Sequence, residues 1–181
     1  MNIASQQTGL LALLKSGHTD GADPYIQTVA QSDHLTMLRE IILTWRFFDI
    51  ERHCRLTASL LKKRGIFEEA VKSFSATPNL SPFPDQLAQA FFDQMGHHRD
   101  PLVACVAQFE CSLVKVKQGD NGQYTVDWPV DPQALIPNLL GDTPLELPPE
   151  GHYQTKISRD IPGLVRITTS RTTSVPRKGD D

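Results

Sequence analysis

Long hydrophobic runs are missing from this chain of 181 residues: nothing approaches the 18 or so consecutive apolar residues that a membrane-spanning helix needs. The opening MNIASQQTGLLALLKSG also lacks a basic region ahead of its short apolar patch, so it does not read as a secretory signal, and a cytoplasmic location is expected. Cysteine is scarce. Cys54, Cys105 and Cys111 are odd in number, contain no C-x-x-C and have no ligand-spaced histidine beside them, which argues against a disulfide framework or zinc site and predicts buried, reduced thiols. An excess of one charge is missing as well. The net charge of −3 gives no general attraction to polyanions, so nucleic acid is not an expected partner. No nucleophile triad, phosphate loop or metal-ligand spacing is present, and the chain is not expected to be an enzyme on its own.

What is there is helical signal, then proline, then alternation. Residues 1–30 are weakly punctuated and read as a mobile or weakly structured arm. Leu10, Leu11, Leu13 and Leu14 could form a short helix ending near Gly17, and His18 to Pro24 carry turn chemistry. From Ser32 or Asp33, either of which can cap a helix, Leu35, Leu38, Ile41, Ile42, Trp45 and Phe48 form one broad stripe. The pattern continues through Cys54, Leu56, Leu60 and Leu61 to a stop at Gly65, with a break expected near Asp49 because the span is long for one helix. A shorter helix over IFEEAVKSF follows. Another is expected to start at Ser81 and Pro82, carry Phe83, Leu87, Phe91 and Met95, and close at Gly96.

The sharpest local signal is Asp100-Pro101, an N-cap followed by proline at the first helical position. Leu102, Val103, Val106, Phe109, Leu113 and Val116 recur at three- and four-residue spacing before Gly119 stops the helix. Residues 31–118 therefore read as a bundle of helices. Beyond Gly119 prolines exclude long helices, Tyr124, Val126 and Trp128 alternate as a strand, and Asp131-Pro132 opens one short helix that Pro137 limits to a turn or two. HYQTKIS and GLVRITT alternate around the turn RDIPG. The expected class is α+β: an N-terminal helical bundle, then over residues 119–170 a small antiparallel sheet with one short helix, then a disordered tail over 171–181.

Candidate chemistry is thin. His97 and His98 point apart and have no second ligand cluster, so a solvated turn is the better reading. Cys54 is flanked by His53 and Arg55, but neighbours along a helix do not face each other. Glu110 interrupts an apolar helix face and needs a partner, expected to be Arg52 or Arg55 in a salt bridge. The segment holding Arg52, Arg55, Lys62, Lys63 and Arg64 is the one concentrated positive feature, diluted by Glu51, Glu68 and Glu69. A small sheet has edges, and an exposed edge can accept an extended peptide as an added strand. Tyr153, Ile157 and Val165 could then line side-chain pockets, or they could pack on the bundle as core.

The runs WRFFDIERHCRLTASLLKKRGIFEEAV, SPFPDQLAQAFFDQM and VAQFECSLVKVKQGD, with YTVDWPVDP after them, resemble the partner subunits of multinuclear non-haem iron oxidases that modify ribosomally made peptides. The methanobactin-biosynthesis type is the nearest, and the 3-thiaglutamate type its closest competitor. The likeness spans residues 33–170 in diffuse helix-boundary patterns. It implies a chain with no cofactor of its own, the iron being held by the oxidase subunit, and a second partner in the leader of the precursor peptide. In the methanobactin type, precursor cysteines become oxazolone and thioamide groups. Leader capture by strand addition is implied too, with Tyr153, Thr155, Ile157, Leu164, Arg166 and Thr168 as candidate contacts. Arg52, Arg55, Lys62 and Trp128 are the candidate oxidase-facing residues. A helical DNA-binding or regulatory domain is the alternative, because the bundle is also similar to putative DNA-binding domains found beside such oxidases.

Overall fold

A computed structural model describes residues 3–16 and 23–169. The expected turn over most of 18–24 and the expected tail over 171–181 lie outside the described residues. Within them the chain is α+β, with helices first and a three-stranded antiparallel sheet last. The helices are α1 (Ile3–Ser16), α2 (Pro24–Ala30), α3 (Asp33–His53), α4 (Arg55–Lys63), α5 (Phe67–Ser75), α6 (Pro84–Met95), α7 (Pro101–Lys117) and α8 (Pro132–Leu140). The strands are β1 (Tyr124–Val130), β2 (Glu150–Ile157) and β3 (Val165–Thr169), in the order β1-β2-β3, with α8 between β1 and β2 in the chain.

Local chemistry sets most of these boundaries. Asp100 accepts from the backbone N–H of Leu102 at 2.9 Å while Pro101 occupies the first turn, so α7 starts where the Asp-Pro pair predicts. Asp131 caps α8 in the same way through Gln133 at 2.8 Å. Gly65 and Gly119 adopt φ of 71° and 107°, and behind each the next residue's N–H reaches back five residues, Ile66 to Leu61 and Asp120 to Lys115. Two boundaries differ from expectation. The long helix breaks at Cys54 rather than near Asp49, and α6 begins at Pro84 rather than at Ser81. At the second, the Ser81 hydroxyl accepts from Phe83 N–H and sits 2.7 Å from Gln86 Oε1, fixing a turn ahead of the helix.

The broad stripe of α3 does not face the core. Leu43 and Phe47 pack against it with Ile50 and Cys54 buried in it, whereas Leu38, Ile41, Ile42, Trp45 and Phe48 are exposed. Both sides of this helix are apolar, so periodicity marks the helix without saying which side is buried.

One core joins α4–α7 to the sheet, because Val126, Trp128, Val130 and Ile157 belong to the same cluster as Leu60, Phe91, Val103 and Val106. Gly119 thus marks a change of secondary structure within that core. Trp128 stands against Phe109 of α7, ring centroids 5.3 Å apart at 66°, and its Nε1 donates to Thr155 Oγ1 at 3.0 Å. Leu13, Ile26 and Leu35 form a second, separate cluster where α1, α2 and the start of α3 meet.

The Trp128–Thr155 bond generates a test. Thr155→Val keeps the shape but leaves a buried indole N–H unpaired, a loss of about 1–3 kcal/mol. Urea denaturation should show a lower midpoint with an unchanged slope; an unchanged midpoint would mean that the bond contributes nothing.

Candidate functional site

The sheet divides the candidate leader contacts between two faces. Pairing of Thr155 with Ile167 and of Ile157 with Val165 places these four side chains on the face turned toward α7. Thr155 and Ile157 are fully buried, and Tyr153 is half-buried. Neither Thr155 nor Ile157 can meet a docked peptide through its side chain, because both are core. Arg166 and Thr168 lie on the opposite, exposed face with Gln154 and Lys156. Leu164 occupies the turn before β3 at φ 68°, where its N–H bonds Ile161 and its carbonyl accepts from Ser158 at 3.0 Å.

Backbone pairing is equally selective. Strand β2 is central and bonded on both sides, so its backbone cannot take another strand. Among the described residues β3 pairs only with β2, leaving its other edge open. The Ser158–Leu164 bond fixes the ladder phase: Arg166 and Thr168 aim their backbone groups at β2, while Val165, Ile167 and Thr169 aim theirs outward. Strand β1 is the other edge, but Pro129 lacks a donor there. The receptive edge is therefore β3, displaced one strand from half of the candidate contacts. Periodicity located all three strands but carried no signal of their order.

The candidate oxidase-facing residues are scattered. Trp128 is buried and cannot contact a partner directly. Arg52 and Arg55 are exposed. Lys62 pairs with Glu51 and lies 5.2 Å from the centre of the Phe67 ring. The rest of the basic segment is also engaged: Lys63 donates to the carbonyls of Gly141 and Thr143, and Arg64 meets Asp100 at 2.7 Å. The apolar stripe that the sequence marks on α3 is itself an exposed surface. Met37, Ile41, Trp45 and Phe48 of α3, with Leu38 and Ile42, fall within a sector about 140° wide at 100° per residue. Trp45 is 61% exposed and Met37 58%, and Trp45 stacks edge-on with Phe48 at 5.9 Å. The signal was in the sequence as apolar residues on two sides of the helix, this stripe and the side of Leu43, Phe47 and Ile50.

Glu110 is buried, but its partners are not arginines. Its Oε1 accepts from Leu56 N–H at 2.9 Å, and its Oε2 from Thr57 N–H and the Thr57 hydroxyl, both at 2.8 Å. These are the second and third backbone donors of α4, whose N-cap residue Cys54 provides no side-chain cap. Glu110 therefore caps α4 from α7. The expected salt bridge fails because the helix N-terminus already supplies buried donors that only a third element can reach. Burial pushes the Glu110 carboxyl above its ordinary value, while the bonds from Thr57 and Leu56 and the charge of Arg55 pull it back.

The thiols are enclosed. Burial raises Cys54, reinforced by Glu110 and Cys111, and pushes Cys105 up to about 12, so neither supplies a thiolate nucleophile at neutral pH. His98 Nδ1 accepts the N–H of Asp100 at 3.1 Å and orders the turn into α7. Comparison of the chain with protein-family models, curated proteins and solved structures gives no match.

Glu110 predicts a pH dependence. Its folded pKa is raised, so the folded chain holds more protons above the unfolded-state value of about 4.3. The Glu110 contribution to stability should fall as pH rises from about 4.3 through the raised folded value, and Glu110→Gln should lack that component. Urea titrations across this range test it; parallel pH profiles for the two proteins would refute the assignment.

Proposed function

We propose that this chain is a non-catalytic partner subunit that binds an iron-dependent oxidase and recruits the leader of a ribosomally made precursor peptide. In the methanobactin type, the cysteines so presented become oxazolone and thioamide groups. The carrying observation is the exposed α3 face: six large apolar side chains left in water on a helix whose other side is built into the core. Such a face on an isolated chain is costly, and a protein partner removes the cost. The open edge of β3 supports the peptide half of the reading, since outward N–H and C=O groups on alternate residues are what an extended segment needs. The kind of partner rests on the likeness of residues 33–170 to oxidase partner subunits, and in this reading the iron belongs to the oxidase.

On this reading the apolar stripe forms the centre of the oxidase interface, and the exposed Arg52, one turn beyond Phe48 on α3, lies at its rim. The DNA-binding alternative stands second, because Lys62, Lys63 and Arg64 already have partners within the chain.

If an iron oxidase is encoded beside this chain, co-expression of the two should yield a complex. Ile41→Asp, at an exposed site where the fold loses little, should abolish co-purification and leave iron with the oxidase. An oxidase fully active on precursor without this chain would overturn the reading. For the peptide half, Thr169→Pro removes an outward donor without touching the β2–β3 ladder, and leader affinity should drop about ten-fold, about the 1.4 kcal/mol that one edge bond can contribute. Unchanged affinity in the folded variant would place the leader elsewhere.

A further inference from the structure

Between the two hydrophobic clusters lies a groove of about 580 Å³, bounded by α1, α3 and the connection from α5 to α6. Its size is that of a small-molecule site. Leu11 and Leu14 of α1 face Ile42 and Leu43 of α3 and Leu80 of the connection, and none of these five is buried. The polar lining is cationic. Arg39 donates to the Leu13 carbonyl and Arg46 to the Ser75 carbonyl at 3.4 Å, which occupies one bond of each five-donor guanidinium. Neither arginine has a carboxylate partner among the described residues, whereas Lys72 at the rim is paired with Glu68. Ser75 is among the residues lining the groove, and its hydroxyl is buried without a hydrogen-bond partner.

We propose that this groove is a binding site for a medium-chain aliphatic carboxylate, its tail on the leucine and isoleucine walls and its head group between Arg39 and Arg46. The two guanidiniums keep most of their donors for the head group. An uncharged tail of equal length would fill the walls but leave both arginines unmatched, so charge sets the selectivity. The exposed α3 stripe is less suited to this ligand: it is convex and carries no cation along Met37, Ile41, Trp45 and Phe48. Ile42 is shared by the two surfaces. The site does not depend on the chain having an oxidase partner, and it can be tested on the full chain alone.

The probe is sodium decanoate below its micelle concentration, titrated calorimetrically, with decanol and butyrate as controls. Decanoate should bind saturably at one per chain, at least ten-fold more tightly than decanol, with butyrate undetectable. Amide shifts in NMR spectra should centre on Leu11, Leu14, Leu43, Arg46 and Ser75. Arg39→Gln with Arg46→Gln should erase the preference for acid over alcohol. Equal binding of acid and alcohol by the unaltered chain overturns the proposal whether or not the variants fold. So does absence of saturable binding, or shifts centred on Met37, Ile41, Trp45 and Phe48.

Discussion

The carboxylate of Glu110 is the constraint on which the helical part depends. It reaches from the middle of α7 to the buried backbone donors at the start of α4, and no other side chain caps that helix. Removing it would leave two buried N–H groups and the Thr57 hydroxyl without their acceptor, a heavier loss than the pair contributes when intact. A hydrophobic contact would allow α4 to slide or rotate along α7. Three short bonds to fixed donors permit only one position, and that position carries Leu60 and Leu61 into the core while the Ser59 hydroxyl meets the Leu139 carbonyl of α8. The placement of α4 against α7 is thus set by an acid in an apolar setting.

The same geometry explains the break between α3 and α4. Cys54 has φ −118° and ψ 51°, outside the helical region, so the chain turns there and presents the donors of Leu56 and Thr57 to Glu110. A continuous helix would have satisfied those donors internally and left Glu110 buried alone. Turn and acid therefore require each other. Directing α4 into the core also limits how much of α3 can be covered, and the helix keeps one apolar side in contact with α5 and α6 and the other in water.

What the sequence displayed depends on whether each signal was local. The Asp100-Pro101 and Asp131-Pro132 starts, the Gly65 and Gly119 stops and the strand alternation through Trp128, Ile157 and Ile167 all follow from neighbours in the chain, and the structure bears them out. The partner of Glu110 was hidden because it is backbone, 53 and 54 residues away, and backbone donors leave no mark on composition. The placement of peptide contacts on β2 failed for a related reason: alternation reveals faces, but only pairing reveals that β2 is central and β3 an edge. The exposed side of α3 was visible as apolar residues, and the choice between its two sides belongs to tertiary packing.

Helix α3 also links two bodies of core that do not otherwise merge. At 21 residues it is about 31 Å long, taking 1.5 Å per residue, with Leu35 in the small cluster at one end and Ile50 in the large one at the other. The stretch between them, Met37 to Phe48, is where the helix is least covered by its own chain. A groove on one side and an apolar stripe on the other are both consequences of this bridging. The two surfaces share Ile42, so a ligand that orders the groove and a protein that covers the stripe would act on the same turn of helix. Any coupling between them must then pass through the packing of that turn, without motion of the sheet, because the β3 edge belongs to the large core held by Phe109 and Trp128.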